Sequence, residues 1–509
     1  MPIGRVVISF VIAVALAGSL FGTAGAAGYK NVIVFGVNRA ADNLDPVTQD
    51  ANPDIWAFMQ IYQQLVRVNI KGDGFVPDLA ERWTVSPNGK TWTFYLRRDA
   101  RWSNGDPVTA ADAAWSLQRA HDLDGPWQWA LEAVQAMAAT DDHTLVITLK
   151  EPWAPFLSDV SLFSSSILPE KVFRNAKPED IAGKPVGSGP FMLTEWKKGD
   201  ELVMKANPNF YEKGRPRTAE LHIRYIPDDN SRMIALQSGD VDGIDYPPFS
   251  QVSVLQRDPR LDVQLNPSTA VAHVLLNVTQ APLNNVKVRQ ALAYATDRAG
   301  INKGVCYGAC VPATSFLPLT TQYFNKGLKG YTYDIEKAKQ LLKESGVATP
   351  VTLTAMIWAG SGDAGTATTL LKGMWAPIGV TLNLAPLDRA AATQRMRALD
   401  YQVDVGGWTN DVPDPSELAN YEFDFVTAKS YHTGYHSPQM DKLLADGMRE
   451  LDPNKRRQIY YQIQDLAIQD SPLIWLYYAP YTVAINKKMH GFVQMATGPW
   501  LFKDVAVEQ

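Results

Sequence analysis

Strand-like and helix-like segments alternate along almost the whole of this sequence, and no long stretch is given over to one kind. Asn31–Val37 is rich in Val and Ile and reads as a strand, stopped by Asn43-Leu44-Asp45-Pro46. Within Ile55–Val66, Phe58, Met59, Tyr62 and Leu65 recur at helical spacing. Trp92, Phe94 and Leu96 alternate along a strand that follows the turn Ser86-Pro87-Asn88-Gly89, where Pro sets one dihedral and Asn-Gly supplies the left-handed position. Thr109 and Asp112 have the spacing of a capping box, which opens a helix through Arg119. Thr144–Leu149 is a further strand. In the second half, Val286–Arg298 carries Val288, Ala291, Leu292 and Ala295 on one helical face. Asp334 caps a helix to Ser345 that Gly346 ends, and Ser437-Pro438 and Asp452-Pro453 each set a cap before a first-turn proline. Strands are expected at Val351–Ile357, Val380–Leu384 and Tyr401–Val405. Such a mixture, without a fixed-period repeat, implies an α/β architecture whose parts are interwoven.

A chain of 509 residues, 46% of them hydrophobic, is too long for one ordinary core and calls for two or three substructures. Its 48 basic and 53 acidic residues nearly balance, which offers nothing to nucleic acid or to an anionic membrane. The first segment has the order of a secretory signal: Arg5, the apolar run Val6–Phe21, then Ala24-Gly25-Ala26. Residues 1–27 are read as a leader cleaved near Ala26 or Ala27, with the periplasm as destination. The run is shorter than the ~20 residues of a membrane span. Cys306 and Cys310 are the only cysteines. Export permits a disulfide between them, in a small loop that Gly304 and Gly308 would have to turn, and the residues alone leave the bridged and free states equally open. A zinc site would need histidine nearby and has none.

The chemistry of catalysis is missing from the familiar motifs. No serine sits in G-x-S-x-G, and no histidine is followed by glutamate as a zinc hydrolase requires. Gly89-Lys90-Thr91 ends like a phosphate loop, but Thr84 stands where the first glycine belongs. His432 and His436 are four apart, yet Gly434 between them argues against a rigid pair. No enzyme activity, cofactor or metal is expected.

The segment PDLAERWTVSPNGKTWTFYLRRDARWSNGDPVTAAD, Pro77–Asp112, resembles nearly end to end the signature block of the family-5 extracellular solute-binding proteins of ABC transporters, the oligopeptide-, dipeptide- and nickel-binding proteins. Four further pieces resemble the family in its order: Gly187-Ser188-Gly189-Pro190-Phe191, Leu236–Asp242, Val286–Arg298, and Gly407-Trp408 through Asp414-Pro415. The resemblance implies a two-lobed periplasmic binding protein of type II (cluster C) with an extra subdomain. The first lobe is expected to be discontinuous, from 28–60, 183–280 and 480–509, with the subdomain at 61–182 and the second lobe at 281–479. It also implies a monomer that closes around a peptide or peptide-like amine-bearing solute and hands it to permease subunits in the inner membrane.

Most of these pieces read as scaffold. Gly187-Ser188-Gly189-Pro190 is a backbone turn, and Arg289 and Arg298 are packing or surface charges. GWTNDVPDP differs: Gly406-Gly407 allows close approach, Trp408 offers an aromatic face, and Asp411 follows a strand end. In peptide-binding members the aspartate three after this tryptophan meets the ligand's α-ammonium, and Asp411 matches that position. Trp408, Thr409, Asn410 and Asp411 are therefore expected ligand contacts, with Ala41, Asp42 and Asn43 in the Arg39–Asn43 loop, and Trp358. Asp414 before Pro415 reads as turn chemistry. Dipeptide-binding members carry an arginine for the peptide carboxylate after the third-domain strand, but Val351–Leu371 here contains neither Arg nor Lys. That departure, with His432 and His436, keeps a nickel chelate, opine or sugar-type solute as the alternative cargo.

Overall fold

The computed structural model describes residues 29–508 apart from 50, 124, 359–361 and 429. The expected leader, 1–27, lies outside the described residues. Among those described, no helix is long and apolar enough to cross a membrane.

Two large mixed sheets organise the chain. The first has seven strands in the order Leu261–Asn266, Tyr481–Asn486, Gly243–Asp245, Val32–Val37, Glu220–Tyr225, Glu201–Ala206, Phe191–Lys197. Val32–Val37 runs parallel to both of its neighbours, and its buried Ile33, Phe35 and Val37 face a core that includes Trp56, Phe492, Trp500 and Phe502. The second sheet has six strands in the order Val311–Pro312, Leu473–Tyr478, Ala270–Leu276, Val403–Thr409, Val351–Trp358, Val380–Leu387. Ala270–Leu276 pairs with strands on both sides, so it belongs to the second sheet and not, as the expected boundary at 281 has it, to the first lobe. A four-stranded antiparallel sheet, Ala80–Val85, Thr91–Leu96, Thr144–Leu149 and Val134–Asp141, carries the signature segment and has its own core around Phe94, Trp102, Leu117 and Phe156.

Local chemistry accounts for the element ends. Gly89 adopts φ +70° in the turn before Thr91, and Thr109 and Asp112 form the reciprocal cap of the helix Ala110–Asp122. Asp334, Ser437 and Asp452 each accept a backbone N–H at the start of Ile335–Glu344, Pro438–Arg449 and Pro453–Asp470. Two helical expectations change. The pattern at 55–66 gives a helix only over Asn52–Phe58, because Val66 is already in a strand against Pro77. The pattern at 286–298 is two helices, Val286–Tyr294 and Arg298–Val305, since the Asp297 carboxylate accepts the Gly300 N–H at 2.9 Å and starts a second one. Cys306 and Cys310 form a disulfide through a turn in which Gly308 has φ +87°.

Contacts join the two halves. Ala154 N–H donates to the Met448 carbonyl at 2.8 Å, and Arg449 pairs with Glu151 at 2.6 Å. Thr269 spans both sides as well, donating its hydroxyl to the Asn410 carbonyl at 2.5 Å while its N–H reaches that of Ala496 at 2.9 Å.

Candidate functional site

The strand Val403–Thr409 ends at the junction of the halves, and the chain then loops through Asn410–Pro415 into the helix Ser416–Phe423. The loop is braced from within. Asn410 is wholly buried, and its side-chain amide donates to the carbonyls of Val412 at 2.5 Å and Asp414 at 3.1 Å. Asp414 is gripped by both ends of the Arg456 guanidinium, at 2.5 and 2.8 Å, with both side chains buried. This pairing holds the Asp414 carboxyl below the usual carboxylate range despite its burial.

The brace leaves Asp411 lining a cleft that lies against the first lobe. Met59, Gln60, Tyr62, Ser161, Phe163 and Met495 line it near by, and Arg67, Asp78, Tyr211, Glu212 and Lys503 also form its wall. Burial pushes the Asp411 carboxyl upward, and among the described residues no basic side chain comes within ion-pair distance of it. Lys503 is taken by Glu212 at 2.5 and 2.7 Å, and Asp78 by the Gln63 amide at 2.5 Å and the Gln64 N–H at 3.1 Å. Arg67 is half-buried and has no ion pair among the described residues.

Trp408 stacks on Tyr421, 3.9 Å between ring centroids, and reaches Trp127 of the first lobe at 6.5 Å. It is half-buried and packs on the cores of both lobes. Thr409 accepts the Tyr481 hydroxyl at 3.5 Å. Trp408, Thr409 and Asp411 thus come together at the junction.

The other expected contacts do not join them there. Asn410 spends its side chain inside the loop. Asn43 caps its own turn, accepting the Asp45 N–H at 2.8 Å and donating to Thr48 at 3.0 Å. Ala41 is buried and lines a separate cleft with Arg39 and Trp196. Asp42 is exposed, and its backbone N–H is held by the Asp54 carboxylate at 2.6 Å. Trp358 is half-buried against the second lobe's cluster around Phe316, Tyr401 and Trp475. Glu417, Tyr421, Trp127 and Arg456 were not singled out from the sequence, because each enters by a fold-dependent contact and none stands in a recognisable motif.

Gly187 and Gly189 lie on the backbone of Gln60 and Ile61, where an added Cβ would come within 2.0 and 2.7 Å of main-chain atoms. Their close approach is scaffold, as expected, and it supports the cavity wall. Arg289 and Arg298 are buried packing residues that donate to backbone carbonyls.

A model of the bacterial extracellular solute-binding proteins, family 5, matches residues 74–425. The chain belongs to this family. A curated relative, the probable D,D-dipeptide-binding periplasmic protein DdpA of Escherichia coli K12, is 30% identical over 484 residues, covering 93% of each chain. Among solved structures, the periplasmic binding protein DppA of Helicobacter pylori, in complex with the peptide STSA, superposes with a TM-score of 0.85 at 24% identity over 95% of this chain and 99% of that one. The binding protein AgaA of A. tumefacien R10, in complex with agropinic acid, superposes at 0.84 with 27% identity over 94% and 99%. The fold is that of a type II periplasmic binding protein.

Proposed function

We propose that this chain is the periplasmic binding component of an ABC importer, which takes a peptide or peptide-like solute with a free amine between its two lobes and delivers it to permease subunits. The relatives named for peptides support the substrate class, and the division into lobes at 28–60 with 183–280 and 480–509, at 61–182, and at 281–479 follows the family, moved so that Ala270–Leu276 joins the second lobe. The observation that carries the reading is Asp411: a half-buried carboxyl lining a cavity, with no cation within ion-pair distance among the described residues. Burying such a group is costly unless a cation joins it, and an ammonium supplies both charge and hydrogen-bond donors. Trp408 forms the wall beside it, and Thr409 the start of the same loop.

The chain binds its solute as a monomer and leaves it uncut. Mass spectrometry of what the protein retains from a peptide hydrolysate tests this. Asp411→Ala should weaken amine-bearing species by about 2 kcal/mol or more. Unchanged retention by the variant would reject the role. A second reading rests on the absence of Arg and Lys from 351–371 and on the agropinic acid bound by the similar AgaA: an opine-type solute. The same experiment with that compound class separates the two.

A further inference from the structure

Glu417, in the first turn of the helix after the loop, comes back to meet Asp411. The Asp411 N–H donates to Glu417 Oε2 at 2.8 Å, which sets the Glu417 carboxyl beside Asp411, and the charges of the two carboxyls act on each other. Glu417 is 1% exposed and its other oxygen is buried, with the Trp408 indole the neutral side chain that favours its charge. The groups that face the pair do not neutralise it. Thr409, Asn410 and the Trp408 indole are neutral, and the Tyr481 phenol is itself pushed up by burial and by both carboxylates. Asp414 is spent on Arg456. Across the cavity stand Asp78, Glu212, Arg67 and Lys503, and neither cation is within ion-pair distance of Asp411 or Glu417. Burial raises both carboxyls of the pair, and the charge of Asp411 raises Glu417 further.

Two neighbouring carboxylates, one buried and one half-buried, with no cation to pair with, resist being ionised together. We propose that Glu417 is a working part of the amine site: with Asp411 it holds a shared proton while the cleft is empty of cations, and an entering ammonium expels that proton. The ammonium keeps its own hydrogens and donates to the carboxylates. The O–H bond of the pair breaks, and its proton passes to solvent. This deepens the reading of Asp411 above and rests on it. It makes Glu417 a positioning residue that couples capture to proton release, so affinity for a monocation falls up to about tenfold per pH unit below the range where the pair ionises.

Thermal unfolding of ligand-stripped protein from about pH 5 to about pH 8 tests the pair without any ligand. Raised carboxyls contribute stability at acid pH that is lost as they ionise. Wild type should therefore lose stability with rising pH relative to Glu417→Gln, matching it at the acid end and melting several degrees below it at the alkaline end. Asp411→Asn removes the pair from the other side and should show the same difference, which keeps the test intact if the first variant does not fold. Curves that run parallel to wild type at every pH overturn the proposal. Titration with trialanine at the two pH extremes is the second arm: proton release on binding by wild type and its loss in Glu417→Gln support the coupling. Binding that persists in Asp411→Asn counts against the amine role of Asp411 and leaves the thermal comparison to decide on the pair.

Discussion

The indole of Trp408 and the phenol ring of Tyr421 stack 3.9 Å apart at an interplanar angle of 21°. Tyr421 lies on the helix that Glu417 opens, so the strand end and that helix are fastened together by one aromatic contact beside Asp411. Trp408 also lies 6.5 Å, between ring centroids, from Trp127 across the junction. Trp408→Ala should cost about 2 kcal/mol of stability and at least about tenfold in retention of hydrolysate peptides. Trp408→Phe keeps a ring to stack and should restore most of both. Urea unfolding and the retention assay read the two effects separately.

Asp414 and Arg456 set the loop from behind. Arg456→Met leaves the Asp414 carboxylate buried without its partner and should destabilise the protein by about 3–5 kcal/mol. Adding Asp414→Asn removes the stranded charge, so the double variant should unfold at a higher urea concentration than Arg456→Met alone. Additive losses would mean the two do not act as a pair.

Much of this was legible in the sequence where the physics is local. The Thr109–Asp112 cap, the Gly89 turn and the Asp334 cap join groups a few residues apart, and their residue types leave few alternatives. The junction position of Asp411 and Trp408 was legible through resemblance, because the spacing of GWTNDVPDP is specific, while their part in binding is the proposal made above. What escaped depends on contacts between distant segments. Ala270–Leu276 reads as one more apolar strand until its partners at 403–409 and 473–478 are known. Asn410 looks as available as Asp411, and only the folded loop shows its amide turned onto Val412 and Asp414. Glu417 falls in an unremarkable helical turn, and its meeting with Asp411 is made by the bend at Val412-Pro413.

Asp404 supplies a pH dependence away from the site. It lies on the strand Val403–Thr409, 4% exposed, with Oδ1 buried and unpartnered, and burial pushes its carboxyl up to about 7. Its folded value lies above its unfolded one, so its contribution is present in acid and lost as pH rises through that value. Asp404→Asn should match wild type near pH 5 and melt several degrees above it near pH 8. Calorimetry at the two pH values checks this, and an equal shift at both would assign the effect to packing.

Arg67 is the last group whose role follows from geometry. Arg67 lies in the short strand that pairs with Phe75–Pro77 and, with its neighbour Val68, forms part of the wall of the cavity that Asp411 lines. Lys503 in the same wall is occupied by Glu212, which leaves Arg67 as the cation without an ion pair there among the described residues. With no Arg or Lys in 351–371 to receive an acid, Arg67, which already faces the buried Asp78, is the group we propose for the acid end of a ligand whose amine Asp411 holds. Arg67→Gln should lower retention of acid-terminated peptides by about tenfold and leave C-terminally amidated peptides unaffected. Equal loss of both classes would place Arg67 in the support of the wall, and no loss of either would put the acid end elsewhere in the cleft.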